Sequence, residues 1–553
     1  MRVPHPWEGA YPAACRWDAP LRIGTLPEMF ARLVRNGGAR PALRYRDQRL
    51  SYADLGTLVA RAAGAFRALG VEKGQAVALF LPNTPWHPVC FFALTGLGAR
   101  VVHLSALDAR RELAHKLADS GAGLVVTTDL PTLLSQAEWL RETGAAARVL
   151  VGEDSRWGGE PATLPPGLEP LSPLVDAATP VPDWPEAAPG DVALLQYTGG
   201  TTGLPKGAML THGNLTAAVS IYQHWDDGER MVPGEQRVMG VLPLFHIYAL
   251  TTVLLRHLAD GNEVILHPRF DAGAVLRDIA QHRVTLMTGV PTMWIALLNH
   301  PDAARTDFSG LHACVSGGAP LPHEVGQKVE RLFGQRLRIG WGMTETSPAG
   351  TRVPVGVTSR PGVIGVPLPG IEMRIVAMDD PGRALPPGEA GEIAIRGPNV
   401  FAGYWNKPAD TAAAFRDGWF LTGDLGRLDA DGLFSLLDRR KNMIISGGFN
   451  VYPAAVESAL YEHPDIVEAI VIGIPDAYRG QSAKAFVTLR PGAAELTLEA
   501  LKAFLHDRLG RHEMPAALEI RDSLPRSPAG KLLASTLIAE EQARRDAPQE
   551  PTP

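Results

Sequence analysis

A loop rich in glycine and threonine follows the apolar stretch DVALLQY and is the part of the sequence best suited to bind a phosphate. Within YTGGTTGLPKGAML the glycines let backbone amides approach an anion, while threonine hydroxyls and a lysine add donors and positive charge. These residues are Thr198, Gly199, Gly200, Thr201, Thr202, Gly203, Lys206 and Gly207. Leu204 and Pro205 precede the lysine, which departs from G-x-x-x-x-G-K-[ST] and disfavours a P-loop NTPase. Alone, the string fits a phosphate cradle or a surface turn.

Two further segments could bind other parts of a nucleotide. VSGGAPL places Gly317 and Gly318 after an apolar strand pattern, which permits a flat base to lie against the backbone. GWGMTETSP offers the Thr344 hydroxyl to a phosphate oxygen and the Glu345 carboxylate to a hard cation. As isolated pieces, both segments are more often ordinary loops.

Three charged residues lie in short motifs nearer the C-terminus. Asp424 in TGDLG could accept hydrogen bonds from two ribose hydroxyls, although aspartate in such a string is commonly a turn former. Arg439 in DRRKN is a donor that could lie nearby. Lys531 ends PRSPAGK, and a mobile cation there would suit a reaction between a carboxylate and a triphosphate, since two anions repel each other.

Composition restricts the class of protein that carries these motifs. The chain has 553 residues, 45% hydrophobic and 20% charged, with a formal net charge of −6. This describes a globular chain of several domain-sized units, without the basic field that would hold nucleic acid. Three scattered cysteines and an N-terminus without a signal-peptide core favour a cytoplasmic protein. No apolar run could span a bilayer, while peripheral membrane contact and a homodimer stay open.

The apolar periodicity predicts the elements that position the motifs. SYADLGTLVARAAGAFRALG has helical spacing that ends at Gly70, and the sequence continues with a strand at 75–82, an apolar helix and a strand at 100–104. Strand, helix and strand in this order imply parallel pairing. Residues 152–190, rich in proline and glycine, read as a surface excursion.

The charged string DRRKN marks a second break, after which helix and strand patterns become shorter. We therefore predict an α/β protein with a large N-terminal domain of several subdomains, whose parallel or mixed sheets are covered by helices. A small mobile α+β C-terminal domain follows. The boundaries are 1–438 for the large domain, 439–441 for a hinge and 442–553 for the small domain, whose tail from Glu540 we expect to be frayed.

Taken together, the motifs resemble those of the adenylate-forming superfamily, which includes acyl-CoA synthetases, luciferases and the adenylation domains of peptide synthetases. The resemblance extends from LSYADL to PRSPAGK, and the TGGTTG loop looks most like that of bacterial medium- or long-chain fatty-acid–CoA ligases. It implies ATP and CoA as cosubstrates and Mg²⁺ as a cofactor.

The resemblance also assigns roles to individual residues. Lys531 is the implied catalytic lysine, Lys206 and Thr344 contact phosphates, and Glu345 binds magnesium. Asp424 and Arg439 bind ribose, and Lys441 is the hinge between the domains. The adenine segment contains Gly317, Gly318, Ala319, Pro320, Trp341, Gly342 and Met343, with Trp341 in place of the tyrosine usual in relatives. Gly447 and Gly448 face CoA.

The acyl pocket is less well defined by sequence. His246, Ile247 and Tyr248 in LPLFHIYAL belong to a segment that borders this pocket in the family, and we expect His246 to position substrate. Thr292 and Trp294 in GVPTMW fit either the acyl site or plain packing.

The sequence thus predicts an AMP-forming acid–CoA ligase that acts on a medium- or long-chain fatty acid through an acyl adenylate. Three alternatives stay open: a dicarboxylate (pimelate-like) substrate met by Arg256 and His257, an aryl acid, and transfer to an acyl carrier protein in place of CoA. A non-catalytic nucleotide-binding regulator would be expected to lack Lys531, Glu345 or Asp424, and all three are present.

Overall fold

The computed structural model describes residues 4–546 except 182, 199–204, 226–230, 320, 322, 358–359, 361, 441, 447–448, 477 and 528–530, and leaves the side chains of 323, 449, 450 and 546 undescribed. Several predicted site residues lie outside the described residues. They are Gly199, Gly200, Thr201, Thr202, Gly203, Pro320, Lys441, Gly447 and Gly448.

The strands of the described chain are β1 Pro41–Tyr45, β2 Gln48–Ser51, β3 Ala76–Leu79, β4 Arg100–His103, β5 Leu124–Thr128, β6 Arg148–Gly152, β7 Glu169–Pro170, β8 Val192–Thr198, β9 Lys206–Thr211, β10 Arg237–Gly240, β11 Glu263–Leu266, β12 Leu286–Gly289, β13 Ala313–Ser316, β14 Leu337–Trp341, β15 Thr351–Arg352, β16 Val363–Pro367, β17 Glu372–Val376, β18 Ala390–Arg396, β19 Phe415–Arg416, β20 Trp419–Leu428, β21 Phe434–Arg439, β22 Ile444–Ser446, β23 Phe449–Val451, β24 Ile466–Asp476, β25 Gly480–Leu489 and β26 Ala517–Ile520.

The helices are α1 Leu26–Gly37, α2 Tyr52–Ala68, α3 Trp86–Gly96, α4 Arg110–Ser120, α5 Pro131–Glu142, α6 Leu171–Ala177, α7 His212–Gln223, α8 Ile247–Ala249, α9 Arg256–Ala259, α10 Ala272–Gln281, α11 Pro291–Leu298, α12 His323–Phe333, α13 Pro408–Ala414, α14 Pro453–Leu460, α15 Leu498–Leu505 and α16 Ala534–Asp546. A π-helical turn, Leu250–Leu255, joins α8 to α9.

Helix α2 forms where the periodicity predicts it, and local chemistry sets both its ends. The Ser51 hydroxyl accepts the Asp54 N–H, while the Asp54 carboxylate accepts the Ser51 N–H, which is a capping box. The apolar stripe of the helix, including Leu55 and Phe66, is fully buried. Gly70, at φ +84°, turns the chain after the helix.

One sheet has the order β7-β6-β5-β3-β4-β8-β9. All neighbours are parallel except β8 and β9, which are antiparallel. The parallel pairing of β3 and β4 confirms the reading of strand, helix and strand. Helix α3 between them is buried along its whole length, consistent with its continuous apolar sequence.

The largest sheet follows the order β17-β18-β20-β21-β16-β15-β14-β13-β12-β10-β11-β1-β2, with β19 against β20. Its central strands, β11, β10, β12, β13 and β14, are parallel, whereas β15 to β21 add an antiparallel extension. The carboxyl end of β14 contacts β20, because the indole N–H of Trp341 donates a hydrogen bond to the Asp424 carboxylate. Open α/β sheets commonly bind ligands beyond the carboxyl ends of such strands.

Beyond Arg439 the chain forms a smaller sheet, β23-β22-β25-β24 with β26 beside β25, packed with α14, α15 and α16 around its own apolar clusters. The expected frayed tail is wrong as far as Asp546, because α16 continues to that residue. Leu537 anchors the helix in the core, and Glu541 and Arg544 join an ion-pair network with Lys484 and Glu519. A run of charges that looks disordered in sequence is thus held by complementary charges of the sheet.

The surface excursion at 152–190 also needs a correction. It contains β7 and α6, and Leu171 and Val175 of that helix are fully buried. Short apolar pairs within a proline-rich string were enough to attach it to the core. No helix in the described ranges combines the length and apolar character needed to cross a membrane.

Candidate active site

The glycine-rich loop connects two strands that face each other. Thr198 ends β8 and lies opposite Lys206, the first residue of β9. The Thr198 hydroxyl contacts the Lys206 carbonyl oxygen at 3.5 Å. Thr198 and Lys206, the described residues on either side of the loop, therefore lie at one point of the sheet edge.

Lys206 has an acidic partner that the sequence motifs did not reveal. Its Nζ lies 2.6 Å from Oδ1 of Asp410 on α13 and 5.5 Å from the centre of the Tyr404 ring. Both members of the ion pair remain partly exposed, so the pair contributes little to stability. A phosphate can therefore replace Asp410 as the partner of Lys206. The lysine is thus positioned beside the loop with its charge available for exchange.

Glu345 lies on a 3-10 turn, Thr344–Thr346, and is buried despite its charge. The Tyr404 hydroxyl donates a hydrogen bond of 2.9 Å to its Oε1. Burial raises the pKa of Glu345, with the nearby negative charge of Asp424 adding to the effect. A desolvated carboxylate of this kind gains from a cation, so the residues present fit a hard divalent ion that arrives with a nucleotide. Tyr404 itself belongs to the FAGYW string, in which the sequence gives no chemical signal.

Asp424 and Arg439 face each other because β20 and β21 pair at these residues. Arg439 Nε lies 2.8 Å from Asp424 Oδ1, and the Trp341 indole N–H donates to Asp424 Oδ2 at 2.8 Å. The close Arg439 contact is not aligned as a hydrogen bond, so buried Oδ1 keeps its capacity to accept one. The Trp341 indole thus fixes the orientation of the Asp424 carboxylate directly.

Neighbouring side chains leave little room for a Cβ at the two glycines that follow β13. A Cβ on Gly317 would lie 2.6 Å from the Tyr248 hydroxyl, and one on Gly318 would lie 3.0 Å from Lys531 Cε. Gly318 also has φ +80°, a conformation that other residues rarely adopt. Ala319 follows, partly buried. The two glycines therefore keep this bend of the backbone free of side chains of its own, between the Tyr248 phenol and the Lys531 side chain.

The neighbouring turn at the end of β14 is equally constrained. A Cβ on Gly342 would clash with the Pro348 carbonyl oxygen. The Met343 N–H donates to the Thr346 hydroxyl, which closes the turn and leaves Thr344 half-buried at its start. This arrangement brings Thr344 and Glu345 to the same sheet edge as Asp424.

Lys531 reaches this edge from the small domain. Its backbone is held by Ser527, whose hydroxyl accepts the Lys531 N–H at 3.1 Å. Burial lowers the pKa of the Lys531 ammonium to about 8, with the positive charge of Arg439 acting in the same direction and Asp424 opposing it. The small domain thus brings a cation to the glycine surface of the large domain.

His246 has the surroundings of a neutral imidazole. Its Nδ1 accepts the Tyr248 N–H at 3.2 Å. Burial lowers its pKa to about 3, and the charges of Lys531 and His103 contribute. A histidine with so low a pKa does not gain a proton near neutrality, and its role in positioning substrate stays a prediction.

The other residues predicted to line an acyl pocket differ in their surroundings. Tyr248 lies against Gly317, and Ile247 beside it is buried. Trp294 is fully buried, packs on Gly289 and lies 6.0 Å from the Phe333 ring, so its surroundings favour the packing interpretation. Thr292 is half-buried at the start of α11.

Comparison with known proteins accounts for nearly all of the chain. A family model described as AMP-binding enzyme matches residues 30–405, and one described as AMP-binding enzyme C-terminal domain matches residues 455–531. The chain belongs to the AMP-binding enzyme family. It is 36% identical to a long-chain-fatty-acid–CoA ligase of Bacillus subtilis over 562 residues, which cover 98% of this chain and 99% of that protein.

Other members of the AMP-binding family differ in the acid that their names state. A feruloyl-CoA synthase of an Amycolatopsis species is 39% identical over 516 residues, 92% of this chain and 97% of the relative. The crystal structure of ATP-bound MatB from Rhodopseudomonas palustris superimposes with a TM-score of 0.83 at 29% identity, covering 94% of this chain and 99% of that one. The chain is thus an AMP-forming acyl-CoA ligase by family, and ATP and CoA fit as its substrates.

Proposed function

We propose that the protein joins a predominantly apolar carboxylic acid, of medium or long chain, to CoA by way of an acyl adenylate. One observation carries the proposal: Lys531 lies against the Gly318 backbone, within electrostatic reach of Asp424 and Arg439. In this proposal Lys531 binds the carboxylate of the acid, and Asp424 and Arg439 bind the ribose beside it. This is what a reaction between an acid and the α-phosphate of ATP requires.

The first half-reaction needs positive charge more than it needs an enzyme nucleophile. A carboxylate oxygen of the acid attacks the α-phosphorus, and the bond from that phosphorus to the pyrophosphate oxygen breaks. Lys531 holds the attacking carboxylate and the α-phosphate together, Lys206 and the Thr198 loop hold the leaving phosphates, and Thr344 contacts the α-phosphate. These are proximity and electrostatic effects.

The second half-reaction releases AMP. The CoA sulfur attacks the adenylate carbonyl carbon, the carbonyl–phosphate oxygen bond breaks, and the thiol proton leaves to solvent. His246 stays neutral and orients the acyl group.

Magnesium would be held by Glu345, with the Tyr404 hydroxyl fixing the second side of that carboxylate. When bound, the ion neutralises charge on the triphosphate. Asp424 and Arg439 orient the ribose, while Trp341 holds Asp424 and borders the adenine segment.

We further propose that the small domain, 442–553, rotates about Lys441 in the 439–441 hinge between the two half-reactions. One face presents Lys531 for adenylation, and another face, around Gly447 and Gly448, closes when CoA enters. The Asp438 carboxylate, at the end of the large domain, accepts the N–H of Ala454 in α14 at 2.9 Å. The hinge thus has a side-chain link to the first small-domain helix.

The acid is tested by measuring AMP and acyl-CoA with ATP, CoA and a panel of fatty, dicarboxylic and aryl acids. We expect the apparent affinity to increase with chain length, by about fourfold for each buried methylene, until the pocket is full. Aryl acids are the second candidate, because the buried Tyr248 hydroxyl has no hydrogen-bond partner among the described residues and a feruloyl-CoA synthase is among the relatives. Thioester formation only with an added carrier protein would instead identify a loading enzyme.

A further inference from the structure

Helix α4 contacts the chain on both sides of the glycine-rich loop. The Tyr197 hydroxyl, one residue before the end of β8, donates a hydrogen bond of 2.7 Å to Asp119 Oδ2. His115 Nε2 lies 3.0 Å from the carbonyl oxygen of Pro205, the residue before Lys206. His115 and Asp119 are four residues apart, so they lie on one face of the helix. A single turn of α4 therefore holds the residues that flank the loop.

The contact with Pro205 fixes which atom of His115 carries a proton. A carbonyl oxygen only accepts, so Nε2 must donate, which both the neutral Nε2–H imidazole and the imidazolium can do. The His115 ring also meets the Tyr197 ring edge-on, with the ring centres 6.3 Å apart. One side chain thus contacts the strand before the loop and the residue after it.

The atom that His115 holds is bonded almost directly to Lys206. The Pro205 carbonyl and the Lys206 nitrogen belong to one planar peptide unit, and the proline ring already fixes the preceding φ. On the other side of the lysine, a Cβ on Gly207 would lie 3.2 Å from Tyr197 Cζ. The backbone from which the Lys206 side chain begins is therefore restricted from both sides.

Asp119 joins this arrangement to a second part of the site. Its backbone carbonyl accepts hydrogen bonds from the Trp405 indole at 3.0 Å and from the Asn406 amide at 3.1 Å. The neighbouring Tyr404 is the residue that donates to Glu345. Burial raises the pKa of Tyr197, and the hydrogen bond to Asp119 adds to this effect, so the Tyr197 hydroxyl keeps the proton that it donates.

The ammonium end of Lys206 has only the partly exposed Asp410 carboxylate as its ionic partner among the described residues, and such a pair fixes a side chain weakly. We propose that His115 and Asp119 are positioning residues for Lys206, which they hold where it contacts the leaving phosphates. Both act through the backbone on either side of the lysine and do not touch the nucleotide. The inference rests on the proposed function, in which Lys206 holds those phosphates.

Pyrophosphate is the probe that tests this role, because the second half-reaction does not use Lys206. Two reactions are followed with the full-length enzyme and synthetic octanoyl adenylate: formation of ATP with magnesium pyrophosphate, and formation of octanoyl-CoA with CoA. His115→Phe keeps a ring and removes the donor. We expect it to raise KM for pyrophosphate about three- to tenfold, the effect of losing one hydrogen bond, and to leave thioester formation unchanged.

Three further variants separate the hydrogen bonds from other effects of substitution. His115→Gln keeps a side-chain N–H donor and should restore most of the affinity for pyrophosphate. Tyr197→Phe removes the hydrogen bond to Asp119 and should raise the same KM, so it tests the inference even where His115→Phe does not fold. Arg111→Gln, at an exposed position of α4, should change neither reaction.

A double-mutant cycle tests whether His115 acts through Lys206. Lys206→Met should itself raise KM for pyrophosphate. Adding His115→Phe to that variant should raise it by no more than about twofold further, because the side chain to be positioned is already missing. Losses that multiply in full would show that His115 acts independently of Lys206 and would overturn the inference.

The inference would also be overturned if folded His115→Phe and Tyr197→Phe, judged by thermal unfolding, lost both reactions equally. That result, or failure of both variants to fold, would assign a purely structural role to the contacts. An unchanged KM for pyrophosphate in both variants would exclude positioning as well. Failure of the wild-type enzyme to form ATP from octanoyl adenylate and pyrophosphate would instead contradict the proposed function.

Discussion

Adenylation should fail as the pH rises above neutrality, because the Lys531 ammonium loses its proton. Burial lowers its pKa from 10.5 to about 8, so the charge needed between the two reacting anions is lost as the pH passes through that value. About nine-tenths of the side chains are charged at pH 7 and about one-tenth at pH 9. We therefore expect kcat/KM for adenylation to fall about tenfold between these pH values.

The same pKa shift opposes closure of the small domain around the charged lysine. The difference of pKa corresponds to roughly 3 kcal/mol against enclosing the charged lysine, fully present below the pKa of the closed form. It disappears as the pH rises toward the value of the open form. A bound triphosphate offsets it and raises the pKa again, so kcat should fall at a higher pH than kcat/KM does.

The assay follows pyrophosphate release with saturating acid and no CoA, with hydroxylamine added to trap the acyl adenylate. Lys531→Arg is the matched control, because a guanidinium stays charged throughout this range. It should be slower but should show no loss centred near pH 8. Identical profiles for the two enzymes, or a wild-type profile flat beyond about pH 10, would refute the reasoning.

Other variants test the remaining roles. Glu345→Gln should lower adenylation and increase the magnesium needed for half-maximal rate; unchanged turnover at limiting magnesium would remove Glu345 from the metal site. Trp341→Phe should raise KM for ATP about tenfold or less with little change in KM for the acid, because Asp424 loses one hydrogen bond; equal changes in both would contradict this. Lys531→Ala should suppress adenylation but spare thioester formation from synthetic acyl adenylate, and Lys441→Pro should do the reverse; proportional loss of both half-reactions in both variants would contradict domain alternation.

Local signals predicted much of the fold. Helix α2 could be located from sequence because its capping box and apolar stripe lie within about twenty residues. The helical tail could not, since α16 depends on Glu519 and Lys484 of a sheet that precedes it in sequence. The π-helical turn after Tyr248 has no sequence signal comparable to a cap.

In the candidate site, too, contiguous motifs could be recognised from the sequence, whereas contacts between distant segments could not. Resemblance to a family singled out Lys531, Glu345 and Asp424 as candidate site residues, because their motifs are short and contiguous. Tyr404 and Asp410 were missed, since each becomes informative only when folding brings it to Glu345 or Lys206. Such contacts across distant segments are set by strand pairing, which a single sequence does not disclose.

The central claim, an acyl adenylate formed in the Lys531 site, can be tested most directly by following the oxygen atoms of the acid. The enzyme is given ATP, CoA and a fatty acid labelled with ¹⁸O in its carboxylate, and the products are separated and weighed by mass spectrometry. We predict one labelled oxygen in AMP, none in pyrophosphate, and loss of the labelled AMP in Lys531→Ala. Label in inorganic phosphate with ADP as the nucleotide product, or unlabelled AMP formed together with acyl-CoA, would contradict it.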